Sequence, residues 1–337
     1  PSDVIPMLPF ELSNNICSLK PNVKRLTLTA LIDFNQKGEV IHSDFFTSVI
    51  KSCTRFTYNE VASLLKNDAA ENKHSEVIDI LHNMHRLSKI LRKQRFKSGS
   101  VDFHVPEPEI HMSSKGTVEK ITKAQHNEAH ELIEEFMLVA NQVVARHLFD
   151  KKLPFIHRVH ESPDEKKIAA FQEFVAGFGL RLNSPSNVSS TDLQSILKRV
   201  RGRPEERVVN TLLLRTMKKA QYSEKDPGHF CLGFKHYTHF TSPIRRYPDL
   251  VTHRLLKESL NHKLSAHEKK ILEKEMKETA EQSTLKEEKA VKVEREITDL
   301  RRTQFMSDKI GKSFTGTIVN VTPFGFFVEL VEVFVEG

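Results

Sequence analysis

Apolar and polar positions alternate through Leu26, Leu28, Ala30, Ile32 and Phe34, the period of a half-buried strand. Gln36-Lys37-Gly38-Glu39 reads as a turn, and residues 40–50 return as a second strand. From Thr57 the period lengthens to that of a helix. Thr57-Tyr58-Asn59-Glu60 has capping-box spacing and opens a helix carrying Val61, Leu64 and Leu65. Val77, Leu81, Met84, Leu87 and Leu91 predict a longer helix. Its end is basic (Arg92, Lys93, Arg95, Lys97), and Gly99 stops it. Residues 100–104 and 109–112 are predicted strands, whereas residues 1–22 lack strong periodicity and read as irregular.

A helix over about residues 127–148 is apolar on most faces from Phe136 to Val144, which predicts burial. Glu134 and Asn141, seven apart, lie two turns apart along one of its faces. Ser162-Pro163-Asp164-Glu165 predicts another helix start, with Ser162 as N-cap and Pro163 at N1, and Ile168, Phe171, Val175 and Phe178 facing inward. Further helices are predicted near 192–201 and 204–219, and from Pro248 with Val251, Leu255 and Leu256 inward. A long helix over about 266–305 alternates Lys and Glu, the mark of a solvated face. At Phe314 the texture changes to strand (314–321), turn (322–325) and strand (326–333).

With 337 residues, 38% hydrophobic and 28% charged, the chain has the composition of a globular protein of one large or two smaller domains. No run approaches the roughly 20 apolar residues of a membrane span. The formal charge of +7 suits a polyanionic partner. Cys17, Cys53 and Cys231 stand far apart without a CxxC, so neither a disulfide framework nor a zinc site is indicated, and a reducing, cytoplasmic location is expected. The chain begins with Pro1, so its first residue is expected not to be the native N-terminus.

Residues 236–254 (HYTHFTSPIRRYPDLVTHR) carry the densest chemical signal. Ser242 reads as an N-cap and Pro243 as N1, which would place Arg245 and Arg246 in the first turn of a helix. Free backbone N–H groups and two guanidinium forks would together form an anion site, most naturally for phosphate. The plainer alternative is a surface turn whose arginines pair with carboxylates. Other signals fail. Gly311-Lys312-Ser313 lacks the first glycine of a P-loop, because Met306 holds that position. Asn127 stands where the glutamate of HExxH would follow His126, so His126 and His130 do not form a metalloprotease site. His82 and His85, without a third ligand, read as surface residues.

The wording of residues 236–254 closely resembles the signature of the RNase II/RNase R (RNB) family of exoribonucleases, in its bacterial RNase R branch. Further segments agree in the same order: Ile5-Pro6-Met7-Leu8-Pro9 with Leu12-Ser13 and Cys17-Ser18-Leu19; residues 55–61; Ile133-Glu134-Glu135-Phe136-Met137; and Leu213-Leu214-Arg215-Thr216-Met217-Lys218. Separately, the piece from Phe314 resembles the opening of an S1 RNA-binding barrel. The resemblance implies an α/β (α+β) fold: a mostly antiparallel core surrounded by helices over residues 1–308, then a truncated S1 domain over 309–337. It implies a processive, hydrolytic 3'→5' exoribonuclease that takes single-stranded RNA 3' end first, and structured RNA by unwinding, and releases nucleoside 5'-monophosphates. A monomer and RNA-decay partners such as a helicase are the expected associations, with no membrane.

Matching the family's motifs residue by residue, Arg245 would contact the scissile phosphate and Arg246 a neighbouring phosphate or an acidic partner. Tyr58 would lie near the reactive 3' nucleotide, with a buried tyrosine bonded to backbone as the alternative. Phe103 would stack on bases, or simply pack in the core. Glu134 would accept from a ribose hydroxyl, the group that distinguishes RNA from DNA, or else pair with a core arginine. Glu294 would line the RNA path, or be merely solvated. Phe324 and Phe327 are candidate base-stacking residues of the S1-like piece, or fill its core. The family's two Mg²⁺ ions are held by a run of four aspartates upstream of the Met-Leu-Pro segment. No such run occurs in these residues, so the chain is expected to be an internal fragment, inert alone. A non-catalytic RNA-binding paralogue is the competing expectation. A translation-type factor with an S1 module would account only for the last ~30 residues.

Overall fold

A computed structural model describes residues 5–66, 75–103, 108–182, 188–331, 333 and 335–337. Strands β1 (Lys24–Phe34) and β2 (Val40–Lys51) form a long antiparallel hairpin in which Ala30 faces Phe45. The Asn35 side chain closes it by accepting the Lys37 and Glu39 N–H groups at 2.9 and 3.0 Å. Helices α1 (Tyr58–Lys66) and α2 (Ser75–Lys97) follow. Gly99 stops α2 as its sequence predicts: it adopts φ +98°, a left-handed conformation that a Cβ would strain, and the Ser100 N–H turns back to the Arg95 carbonyl at 3.1 Å.

The hairpin of β3 (Pro108–Met112) and β4 (Val118–Lys123) leads to α3 (Glu128–Asp150). Asn127 caps α3, accepting from the Ala129 and His130 N–H groups. Helix α3 is the axis of the molecule. Its Val143, Val144, Ala145 and Leu148 join Phe45 of β2 and Leu255 and Leu256 of α7 (Tyr247–Asn261) in the main core. A second core lies among α4 (Glu165–Ala176), α5 (Ser190–Val200) and α6 (Glu206–Thr216), centred on Phe171, Leu193 and Leu213. The three-residue strands β5 (His157–Val159) and β6 (Gln221–Ser223) pair, and Tyr222 joins Ile156, Val251, Met276 and Ala280 in a third buried cluster. Helix α8 (Ala266–Ser307) buries only Met276 and Ala280 and then runs in solvent, as its charge alternation predicts. A last hairpin, β7 (Gly316–Thr322) and β8 (Gly325–Leu330), continues into a tail: the Val328 N–H donates to the Gly337 carbonyl at 2.8 Å and the Gly337 N–H returns to Val328 at 3.1 Å.

The α/β fold with antiparallel strands wrapped by helices matches the expected class, with the strands among the described residues divided into four two-stranded sheets. Local expectations are corrected in four places. Residues 100–103 are not a strand; the Val101 N–H instead bonds the Cys231 carbonyl at 2.8 Å, and residue 104 lies outside the described residues. Asp164, not Ser162, caps α4, because its carboxylate reaches the Lys166 and Lys167 N–H groups. Phe178 stays 38% exposed and meets Phe174 edge to face rather than turning inward. Finally, Ser242 and Pro243 do not start a helix: residues 243–245 form a turn, and α7 begins at Tyr247 with Arg246 as N-cap. A helix begun at Pro243 would carry Pro248 in its interior, where the ring removes a donor and clashes with a preceding carbonyl.

Candidate RNA-binding site

The turn that carries the two arginines is braced from below. Asn141 of α3, 3% exposed, accepts the Phe240 and Thr241 N–H groups at 2.9 and 3.2 Å and donates to the Tyr237 hydroxyl at 3.0 Å. Asp249, fully buried, accepts the Ser242 N–H at 2.7 Å and the Arg246 guanidinium at 2.7 Å. Arg246 thus serves the second of its predicted uses, an acidic partner. Arg245 projects exposed from the turn. Two helices of the main core therefore fix one turn, and the turn presents one cation.

Around the turn, two further arginines are ion-paired and the aromatic neighbours are held neutral. Arg158 lies over the Tyr222 ring, 4.6 Å from its centroid, and pairs with Glu287 of α8 at 2.6 Å. The Tyr222 hydroxyl meets His239 Nδ1 at 2.9 Å. Burial, then the Arg246 and Arg158 charges, hold His239 down to about 2, so it is neutral at any physiological pH. Burial also raises Tyr222 to about 12 and Tyr237 above the usual phenol range. Cys231, close by in sequence, is pushed up to about 12 by burial and is an inert thiol.

A second constellation stands at the start of α3. Tyr58, at the N-terminus of α1 and 46% exposed, is not a buried tyrosine; its ring stacks on His130 with centroids 3.9 Å apart and planes at 20°. The His126 ring also stacks on His130, with centroids 5.4 Å apart and planes at 29°. The His126 Nε2 in turn meets Glu134 Oε1 at 3.0 Å. Tyr58 and Glu134, predicted separately, are brought together by two histidines that sequence reasoning set aside. Core-arginine pairing falls to the next residue: Glu135, 2% exposed, takes Arg95 of α2, whose Nε lies 3.1 Å from both carboxylate oxygens. From Glu134 to Asn141 is about 10 Å along α3, so one helix carries both constellations.

The other predicted residues lie apart. Phe103 is half-buried against the α4–α6 core. Glu294 is exposed on α8. Phe324 stands 85% exposed at the tip of the last hairpin, while Phe327 is half-buried opposite Asn320. A cleft of about 750 Å³ between β2, α2 and α3, lined by Arg95, Glu135, Arg146, His147 and Lys235, contains none of the predicted site residues. Among the described residues, one group has metal-ligand spacing, Glu258, His262 and Glu268 at the α7–α8 junction. It lies at the other end of α7, about 20 Å from Arg245 by the length of that helix, and includes an imidazole. Mg²⁺ prefers oxygen ligands in octahedral geometry, so these residues do not fit the expected two-ion site.

Helix α3 thus links the two constellations, bracing the Arg245 turn through Asn141 and carrying Glu134 beside Tyr58 of α1. The chain belongs to the RNB domain family, whose model matches residues 1–262. It is 40% identical over 336 residues to "Ribonuclease R 1" of Lactococcus lactis, covering 99% of this chain and 41% of that one. It is likewise 40% identical over 338 residues to "Ribonuclease R" of Aquifex aeolicus, covering all of this chain and 48% of that one. The chain thus spans less than half the length of these two relatives. In structure it resembles Mycoplasma genitalium RNase R solved with ribose-methylated single-stranded RNA, at TM-score 0.93 and 36% identity over 98% of this chain and 52% of that one. The same protein with double-stranded RNA gives TM-score 0.92 and 35% identity, over 98% of this chain and 59% of that one. Among the described residues, no helix is long and apolar enough to cross a membrane.

Proposed function

We propose that this chain is the RNA-holding part of a hydrolytic 3'→5' exoribonuclease that acts processively on single-stranded and structured RNA and releases nucleoside 5'-monophosphates. The observation that carries this reading is the division of labour in the arginine pair: Asp249 occupies Arg246, and Arg245 is left exposed on a turn fixed by Asn141. A guanidinium preset in this way stabilises charge on a phosphate as water attacks it, with no reorganisation at that moment. Glu134 would accept from a ribose hydroxyl beside Tyr58. Phe103, Phe324 and Phe327 would offer stacking faces, which suit any base and so suit processive movement. Glu294 would line the path along α8.

The reading assigns Mg²⁺ dependence to carboxylates outside this chain, because the described residues do not provide them. The last hairpin is read as the opening of an S1 barrel, and RNA-decay proteins such as a helicase as partners of a monomer. The test is a time course on a 5'-labelled single-stranded RNA with the purified 337-residue chain, in Mg²⁺ and in EDTA. Binding without decay is expected. A Mg²⁺-dependent ladder would overturn the placing of the metal site, and absence of binding would overturn the RNA-holding role.

A further inference from the structure

The ring contacts of His130 with Tyr58 and His126 leave few of its polar atoms free. Tyr58 stacks on its imidazole with centroids 3.9 Å apart and the His126 ring lies 5.4 Å away, so hydrogen bonding falls to the nitrogens at the ring edge. Of the two edge nitrogens, Nδ1 is taken by Asn127, whose side-chain oxygen lies at 2.9 Å and whose backbone N–H lies at 3.3 Å. The Nε2 atom remains. Burial first, and then the His126 charge, lower the His130 pKa, so the ring is neutral at neutral pH and acts as a hydrogen-bonding group rather than a counter-ion. Glu134 is four residues further along α3, on the same face, with Cβ atoms of such pairs about 5–6 Å apart. Its Oε1 is held by His126, which leaves Oε2.

One acceptor and one neutral imidazole nitrogen, a helical turn apart and beside an aromatic ring, form a bracket of defined chemistry. Two vicinal hydroxyls fit between them: one donates to the carboxylate, and the other satisfies Nε2 in either tautomer, because a hydroxyl both donates and accepts. A phosphate does not fit, since it would face the carboxylate. An internal ribose does not fill the bracket either, because its 3' oxygen is esterified and cannot donate. We infer that His130 is a specificity-determining residue that, together with Glu134, recognises the free 2',3'-cis-diol of a terminal ribose. The inference rests on the RNA-holding reading above and names the part of the RNA that this corner reads.

The test is binding of a short labelled RNA to the 337-residue chain, with the 3'-terminal nucleotide as ribose, 2'-deoxy, 3'-deoxy or 2'-O-methyl. The unaltered protein should favour the ribose end about fivefold to tenfold over each modified end, the worth of one hydrogen bond. His130→Phe keeps a ring against Tyr58 but removes the nitrogens, and should flatten that ratio towards one while still binding RNA. His130→Gln, whose amide can still meet a hydroxyl, should restore part of it. Equal binding of all four ends by the unaltered protein would overturn the inference and leave the RNA-holding role standing. So would a His130→Phe protein that binds every end more weakly by the same factor, since that is a packing effect. Failure to bind any RNA would instead remove the underlying functional reading.

Discussion

Asp249 and Arg246 form a buried pair in which one carboxylate oxygen, 2.7 Å from the guanidinium, also receives the Ser242 N–H at 2.7 Å. Two points of one turn therefore converge on a single atom. Asp249→Ala strands Arg246 and the Ser242 N–H together, and should cost about 3–5 kcal/mol, the penalty for breaking a buried ion pair. Asp249→Asn keeps an acceptor and should cost less. Denaturant midpoints of the two variants check the order, and an alanine variant no less stable than the asparagine one would contradict it.

The two arginines should separate in experiment. Among the described residues the exposed Arg245 side chain has no ion-pair partner, and Arg245→Ala should leave stability within about 0.5 kcal/mol. It should weaken RNA binding uniformly across sequences and lower the dependence of log affinity on log salt by about one phosphate contact. Arg246→Ala should do the reverse, unfolding at lower denaturant. Paired salt titrations and melting curves read both.

Asn141 is the joint between α3 and the arginine turn. Asn141→Asp retains the acceptor for the Phe240 and Thr241 N–H groups but loses the donor to Tyr237, and buries a charge. Asn141→Ala leaves two buried N–H groups unpaired and should cost roughly 2–4 kcal/mol. Both changes should weaken RNA binding more than their distance from the surface suggests. Unchanged affinity in a still-folded Asn141→Ala protein would break the link between the brace and the arginine.

Acid should unfold this chain early. Burial lowers His157 to about 4, His229 to about 3 and His239 to about 2, from an ordinary value near 6.5. Between those limits the unfolded chain binds protons that the folded chain refuses, so stability rises with pH there. It is fully present above about pH 6.5 and falls as pH drops from 6.5 towards the folded values, by about 1.4 kcal/mol per pH unit for each histidine held neutral. Urea midpoints at pH 7.5, 6 and 5 measure the slope, and His239→Phe should make it shallower.

Local chemistry explains what the sequence allowed to be read. The alternation of Leu26 to Phe34, the capping spacing at Thr57, the glycine after α2 and the apolar run of α3 each act within a few residues, and each element appears where its pattern predicts. The charge alternation of α8 was legible for the same reason. Competition between neighbouring signals was harder: Ser242-Pro243 looks like a helix start until Pro248 is weighed against it. Least legible were the long-range partners. Nothing near His130 in sequence announces that Tyr58, 72 positions earlier, stacks on it. Nor does Asn141 announce its bonds to a turn about a hundred residues away. His130 carried one available signal, its position four residues before Glu134 on one helical face, which a search for metal ligands alone discards.

Helix α8 buries no side chain beyond Ala280 but is clamped by Arg158 on Glu287, and it rests Arg301 on the Gly116 carbonyl at 3.3 Å. The chain beyond it then comes home, with Glu329 paired to Arg207 of α6. A helix of 42 residues is about 63 Å long, and with one end free it would be a lever that magnifies every tilt at its root. With ion pairs at both ends of the path it is instead a strut, and the exposed Phe324 at the hairpin tip is held in one frame of reference with Arg245.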